Sequence, residues 1–155
     1  GTTILNFGTT GDVPVTADYD GDFKSDIAIY RPSSGQWWVR NSSNGSVSSY
    51  QFGLSTDKPV QGDYTGDGKA DVALWRPTTG EWFVLRSENA SFFAFNFGIS
   101  TDIPVPADYD GDGKFDGAIF RPSTSTWYIQ RTTAGTLIQV FGQTGDKPVP
   151  NVFIP

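Results

Sequence analysis

The chain has no cysteine, no histidine and no methionine, and it contains only two glutamates. The absence of cysteine excludes disulfide bridges and thiolate chemistry, although it is compatible with either a reducing or an oxidising compartment. Without histidine and cysteine, most nucleophile–base pairs used by enzymes are excluded as well. No apolar run approaches the length of a membrane span, so we expect no membrane insertion.

Aspartate supplies almost all of the negative charge, and the net charge of −6 argues against nucleic acid or an anionic membrane as the partner. The chain has 155 residues, of which 15% are aromatic, which predicts a folded domain with a core. Eleven of the fifteen aspartates lie in three short loops. The other four recur six residues before a loop, or before the place where a fourth loop would begin: Asp12, Asp57, Asp102 and Asp146.

A Phe-Gly pair recurs with spacings of 45, 45 and 44 residues, a period typical of propellers and solenoids. The pairs begin at Phe7, Phe52, Phe97 and Phe141. Each unit continues with Asp-x-Pro-Val, an aspartate-rich loop, an apolar run that ends in Arg-Pro, and a second apolar run that begins with tryptophan. These runs are short, rich in β-branched and aromatic residues, and bounded by Gly, Pro, Ser and Asp. The pattern predicts strands joined by tight turns.

Four strands per unit predict an all-β protein, a β-propeller segment of four-stranded antiparallel blades. We expect one repeat domain over 1–155 with three full blades, at about 13–52, 59–97 and 104–141. One extra strand is expected at each end, over 2–7 and 148–154. Closed propellers have roughly four to eight blades, so three blades would expose strand edges. We therefore expect self-association into a homodimer or a higher oligomer.

Two further residue types recur with the same period. The tryptophans are Trp37, Trp82 and Trp127, and the arginines are Arg31, Arg76 and Arg121. We expect the tryptophans to fill the space between blades, because periodic aromatic residues usually form core, with carbohydrate stacking as the alternative. For the arginines, pairing with the periodic aspartates is favoured over capture of an anion.

Within each loop the acids fall on alternate residues, as in Asp108, Asp110 and Asp112, followed by Asp116. Carboxylates this close repel one another unless a cation lies among them. Oxygen donors without histidine or cysteine favour a hard ion, and about seven flexible ligands suit calcium better than magnesium. We predict up to three Ca²⁺ ions. The alternative is a solvated turn whose acids hydrogen-bond to their own backbone.

The closing acid distinguishes this loop from a helix-loop-helix calcium site, which ends in glutamate at its twelfth position between two helices. Here the closing aspartate is at the ninth position and the flanks are predicted strands. Phe-Gly, Asp-x-Pro-Val-x-x-Asp-Tyr-Asp-Gly-Asp-Gly-Lys-x-Asp-x-Ala and Arg-Pro-Ser together resemble the FG-GAP or VCBS-type repeats of integrin α-chain propellers, secreted bacterial proteins and some fungal lectins. The resemblance implies calcium in the loop between the first two strands of each blade, outside the cell.

Carried onto this chain, the resemblance implies ligands at loop positions one, three, five, seven and nine, with a backbone carbonyl at position seven. They are Asp18, Asp20, Asp22, Lys24 and Asp26; Asp63, Thr65, Asp67, Lys69 and Asp71; and Asp108, Asp110, Asp112, Lys114 and Asp116. Two residues depart from the pattern. Thr65 replaces a carboxylate, and Phe23 stands where Gly68 and Gly113 permit a positive φ.

These features predict a noncatalytic module of a secreted or cell-surface protein, with structural calcium and a role in binding, adhesion or scaffolding. The resemblance to this family implies a glycan or a protein as the ligand. The alternative is a lectin with pockets between blades, lined by residues such as Trp38, Trp75 or Phe83. A glycoside-acting enzyme is the less favoured alternative, because Glu81 and Glu88 are the only acids outside the aspartate repeat.

Overall fold

The structure is a computed structural model that describes residues 1–2 and 4–149. Twelve strands are found among these residues, and they form three separate four-stranded antiparallel sheets. The first sheet contains β1 (Val13–Pro14), β2 (Ile27–Arg31), β3 (Gln36–Arg40) and β4 (Val47–Gln51). The second contains β5 (Lys58–Pro59), β6 (Val72–Arg76), β7 (Glu81–Leu85) and β8 (Phe92–Asn96). The third contains β9 (Ile103–Pro104), β10 (Gly117–Arg121), β11 (Thr126–Arg131) and β12 (Gly135–Val140).

The predicted all-β architecture of four-stranded antiparallel blades is confirmed. The sheets run over 13–51, 58–96 and 103–140, beside the predicted blades 13–52, 59–97 and 104–141. No pairing between strands of different sheets closes a ring within the described residues. Nor does this part of the chain contain a helix long and apolar enough to cross a bilayer.

The two predicted terminal strands have no counterpart in the described structure. Residues 2 and 4–7 lie in no strand, although a strand was expected over 2–7. A fourth blade strand obtains its hydrogen bonds from a third strand beside it, and no described strand occupies that place. Of the expected strand over 148–154, residues 148 and 149 are in no strand, and the remainder lies outside the described residues.

Within each sheet, a tight turn joins the second and third strands and sets their register. The hairpin places Tyr30 opposite Trp37 in the first blade. Its turn contains Gly35, with φ 66°. A Cβ at Gly35 would lie 2.3 Å from the carbonyl oxygen of Gly53, so a side chain is excluded there. The turn thus brings the Phe-Gly segment at the end of the blade back against its middle strands.

The periodic tryptophans join the core to the Phe-Gly segments. Trp37 and Trp82 are fully buried, which confirms the core-packing interpretation for these two residues. Each indole Nε1–H donates to the carbonyl of the phenylalanine in the following Phe-Gly, at 2.9 Å for both buried tryptophans. Trp127 makes the same bond to Phe141 at 3.2 Å but is only half-buried. Its blade has no described neighbour on the following side.

Consecutive blades contact each other through the aspartate loops. The N–H of Ala70 donates to the carbonyl of Asp18 at 2.7 Å, and the N–H of Phe115 donates to the carbonyl of Asp63 at 2.6 Å. The Phe115 ring also packs edge-on against Tyr64 of the preceding blade. Because the same positions make the same bond at both junctions, the three loops follow one another along one side of the molecule.

The periodic arginines pair with the periodic aspartates, as predicted. Each guanidinium donates through two nitrogens to the two oxygens of one carboxylate, at 2.8–2.9 Å. The pairs are Arg31 with Asp12, Arg76 with Asp57, and Arg121 with Asp102. The hydrogen bonds from Arg31 lower the pKa of Asp12 to about 2, which is below the usual 3.8. The pair therefore stabilises the fold above about pH 4, and this contribution is lost as the pH falls towards 2.

We predict that Asp57→Asn lowers the free energy of unfolding by about 2 kcal/mol, because it leaves the partly buried guanidinium of Arg76 without its counterion. Urea denaturation monitored by tryptophan fluorescence measures the change. The matched control is Asp146→Asn. Asp146 accepts the same kind of turn bond, from Gln143 N, but contacts no arginine within the described chain. Equal losses in the two variants would contradict the prediction.

Candidate metal sites

Each aspartate loop connects the first and second strands of its blade and is closed by a backbone hydrogen bond at its base. The N–H of the ninth-position aspartate donates to the carbonyl of the residue before the loop. In the first loop this bond runs from Asp26 to Ala17 at 2.7 Å. The other two loops close in the same way, at 2.8 Å, from Asp71 to Gly62 and from Asp116 to Ala107. The first and last acids of the loop are thereby brought close together.

The first aspartate of each loop is an acceptor around which the loop folds. Asp18 Oδ1 accepts from Gly21 N, and Asp18 Oδ2 accepts from Phe23 N, both at 2.7 Å. Asp63 and Asp108 accept from the corresponding residues. The self-bonded turn of the alternative interpretation is therefore present. It does not exclude a cation, because each carboxylate oxygen has two lone pairs.

The ninth aspartate is almost completely buried in all three loops. Asp71 has no exposed surface, and its Oδ2 and Oδ1 accept from Tyr64 N at 2.9 Å and from Ser87 N at 2.8 Å. Asp26 and Asp116 make the equivalent pairs of bonds. Burial raises the pKa of Asp71 and of Asp116 above the usual value, although these backbone donors oppose the shift. The ninth aspartate thus ties its loop to the turn between the third and fourth strands.

Two loops bring three acids close enough to share one ion. One carboxylate oxygen from each member lies within 4.8 Å of the others, in the groups Asp18, Asp20 and Asp22 and Asp108, Asp110 and Asp116. Among the described residues, the second loop forms no such group, because its third position is Thr65. The structure therefore brings together six of the predicted side-chain ligands. The carbonyl role of Lys24, Lys69 and Lys114 stays a prediction.

The third loop contains an oxygen whose bonding is incomplete. Asp110 Oδ1 is buried and has no hydrogen-bond partner within the described chain. Its Oδ2 accepts from Thr133 Oγ1 at 2.7 Å and from two backbone N–H groups, and these bonds, chiefly that from Thr133, lower the pKa of Asp110. An ionised carboxylate with one buried, unpaired oxygen beside two other carboxylates is suited to a hard cation.

Comparison with protein families identifies the repeat. The FG-GAP-like repeat family matches the chain twice, over residues 18–74 and 63–119. The chain belongs to the FG-GAP-like repeat family. Each match begins at the first aspartate of one loop and extends through the following loop into the next blade, so the overlapping matches cover 18–119. A search of curated proteins found no match.

The FG-GAP-like loops have hydroxyl partners that the sequence analysis missed. Ser42 Oγ donates to Asp22 Oδ2 at 3.0 Å, and Ser87 Oγ donates to Asp67 Oδ2 at 2.7 Å. Thr132 Oγ1 makes the equivalent bond to Asp112. These donors lie in the turn between the third and fourth strands, 20 residues after their acceptors. The signal in the sequence was a hydroxyl residue repeated at 45-residue intervals.

Three aromatic residues were proposed to line a sugar pocket. The prediction is wrong for Trp75, because its side chain is fully buried. The ring of Phe83 is covered by the Arg76 guanidinium, whose carbon lies 4.5 Å from the ring centroid. Trp38 is half-buried and contributes to a cavity of about 230 Å³ beside the first blade. The other residues of the cavity wall are Phe7, Gly8, Thr9, Ile29 and Arg31.

Phe23 occupies the strained position expected from the sequence. Its φ is 64°, and the equivalent Gly68 and Gly113 have φ of 83° and 84°. The Phe23 side chain is 86% exposed, so little packing compensates for this conformation.

We predict that Phe23→Gly raises the free energy of unfolding by about 1 kcal/mol, because glycine adopts this φ without strain. Thermal denaturation in the absence of calcium measures the change. The reverse control is Gly113→Ala, which introduces a side chain at φ 84° with no neighbouring atom within 4 Å of its Cβ, and it should destabilise by a similar amount. A loss of stability in Phe23→Gly would contradict the prediction.

Proposed function

We propose that this FG-GAP-like repeat domain is a noncatalytic, calcium-stabilised module of a secreted or cell-surface protein that serves in binding, adhesion or scaffolding. The proposal rests on the arrangement of the carboxylate oxygens in the third loop. There, oxygens of Asp108, Asp110 and Asp116 lie within 4.8 Å of one another, and a buried oxygen of Asp110 has no partner among the described residues. Three carboxylates this close repel one another, and a divalent cation among them offsets that repulsion.

Calcium fits the donor set better than other ions. All the donors predicted in the loops are oxygens, and the spacing of positions one, three, five, seven and nine supports a flexible shell of roughly six to eight ligands. When bound, the ion supplies the positive charge that cancels repulsion among the loop acids. Three ions would add six positive charges to a chain whose net charge is −6. Binding free energy then contributes to folding free energy.

Four of the six acids outside the loops support a noncatalytic role. Asp12, Asp57 and Asp102 are engaged by arginines, and Glu81 accepts from the Thr79 hydroxyl at 2.7 Å. A glycosidase requires two carboxylates that face one substrate, one of them free to donate a proton. Acids held by ion pairs and turns stabilise the fold instead.

An extracellular location is supported by the exposure of the loops. Asp67 and the neighbouring Gly66 and Gly68 are exposed to solvent. Solvent access weakens the attraction between an ion and its ligands, and extracellular calcium modules have dissociation constants of roughly 10⁻⁴–10⁻³ M. Sites of that strength fill only where calcium is abundant.

A glycan is a second candidate ligand, favoured by the cavity beside Trp38. The Nε1–H of Trp38 is buried and has no acceptor within the described chain. The cavity wall combines the side chain of Trp38 with the charged Arg31 and the apolar Ile29. Sugars bind to such mixtures of an aromatic ring and polar groups, because their rings have apolar faces and hydroxyl edges.

Self-association is supported by a lysine and a loop glycine at the two ends of the blade series, which have no adjacent blade among the described residues. At each inner junction, a lysine side chain covers a loop glycine of the preceding blade: Lys69 covers Gly21, and Lys114 covers Gly66. At the third blade, the corresponding Gly111 has nothing within 4 Å of its Cβ position among the described residues. At the first blade, the Lys24 side chain is 72% exposed, and its Nζ pairs with Asp22 of its own loop at 3.3 Å. We propose that the Lys24 end of one chain docks on the Gly111 end of a second copy.

Chelation of calcium should destabilise the domain. At a calcium concentration about a hundredfold above the dissociation constant, each bound ion adds about 2.7 kcal/mol of stability. Because about 1 kcal/mol shifts the melting temperature of a chain of this size by about 2–4 °C, EDTA should lower it by at least about 5 °C. Differential scanning calorimetry with calcium or with EDTA measures the shift, and Asp110→Asn should show a smaller one. A melting temperature that is independent of EDTA in the unmodified chain would refute the proposed role of calcium.

Lys24→Glu should weaken self-association, because it places an anion against the acidic loop of the neighbouring copy. We expect a mass increase with concentration for the unmodified chain and a smaller increase for the variant, measured by sedimentation equilibrium with calcium present. Arg40→Glu is the matched charge reversal, because this guanidinium lies against Gly45 of its own blade. A monomer at all concentrations, or equal effects of both variants, would refute the docking of these ends.

A further inference from the structure

The turn between the third and fourth strands lies against the aspartate loop in the same way in every blade. In the second blade, Ser87 N donates to Asp71 Oδ1 at 2.8 Å and Ser87 Oγ donates to Asp67 Oδ2 at 2.7 Å. Ser42 and Thr132 make the corresponding two bonds in the first and third blades. These bonds fix the position of the next turn residue relative to the loop.

That next residue reaches the third position of the loop. Ser43 Oγ donates to Asp20 Oδ2 at 2.5 Å, and Thr133 Oγ1 donates to Asp110 Oδ2 at 2.7 Å. Both pairs are separated by 23 residues. The turn therefore places a side chain beside the carboxylate that occupies the third ligand position in these two loops.

In the second blade, the hydroxyl and the carboxylate occupy each other's positions. Thr65 stands at the third position of the loop, and Glu88 stands 23 residues later in the turn. The hydroxyl is now on the loop and the carboxylate is on the turn. The second loop contains three acids, and each of the other two loops contains four. Glu88 from the turn would bring the number of acids at the second site to four as well.

We propose that Glu88 supplies the carboxylate missing at Thr65 and completes the calcium site of the second blade from the adjoining turn. The inference rests on the proposed binding of calcium by these loops. Glu88 is exposed, and its one hydrogen bond in the described structure is a long one, 3.5 Å from Asn89 Nδ2. Because Asp63 and Asp67 have the same charge as Glu88, a solvent-exposed Glu88 is the favourable arrangement when the loop holds no ion. With the ion bound, its charge attracts Glu88 towards the loop.

Calorimetric calcium titration of the full chain tests this assignment. The unmodified protein should bind three ions. Glu88→Gln should weaken one site by about tenfold or more and leave the other two unchanged, because ligand charge sets calcium affinity. The control Glu81→Gln, which removes a glutamate of the same blade that bonds to Thr79, should leave all three sites unchanged. Thermal denaturation with EDTA checks that both variants fold as the unmodified chain does.

Transfer of the carboxylate back to the loop provides a rescue. Thr65→Asp combined with Glu88→Thr reproduces the arrangement of the third blade and should restore three sites. Three unchanged sites in Glu88→Gln, only two sites in the unmodified chain, or no rescue by the double variant would each overturn the role of Glu88 while leaving calcium binding by the other loops intact. No calcium binding at all in the unmodified chain would overturn the proposed function together with this inference.

Discussion

A buried carboxylate that accepts two backbone hydrogen bonds organises each blade. Asp26, Asp71 and Asp116 have almost no exposed surface, and each joins the aspartate loop to the turn between the third and fourth strands. A buried carboxylate without these donors would be strongly unfavourable, so the loop and the turn must be formed together. The more exposed acids of each loop are therefore positioned by a buried aspartate that belongs to the core.

The same loops also connect one blade to the next. The carbonyl of the first loop aspartate accepts from the following blade, as in the bond from Ala70 to Asp18. The carboxylate of that same aspartate accepts the N–H groups of its own loop. Conformation of the candidate metal site and stacking of the blades are consequently coupled through single residues. Calcium bound at a loop would stabilise the junction as well as the blade.

The aromatic residues contribute through burial and through one directional bond each. Trp37 and Trp82 fill the core and donate their indole N–H to the carbonyl of the Phe-Gly segment that ends the blade. Because the indole has a polar donor, its burial requires this acceptor. The repeated tryptophan and the repeated Phe-Gly are thus two halves of one interaction, which explains why they recur with the same period.

The sequence by itself determined the repeat, the four-stranded blades, the Arg31–Asp12 type of ion pair and the strained φ at Phe23, because periodicity and local backbone chemistry are properties of the chain. Only the tertiary structure decided which acids lie together, that Trp75 is buried, and that Ser42, Ser87 and Thr132 donate to the loops. Residues 20 positions apart meet because the loop between the first and second strands and the turn between the third and fourth strands lie at the same end of one four-stranded sheet, and no local pattern encodes that distance.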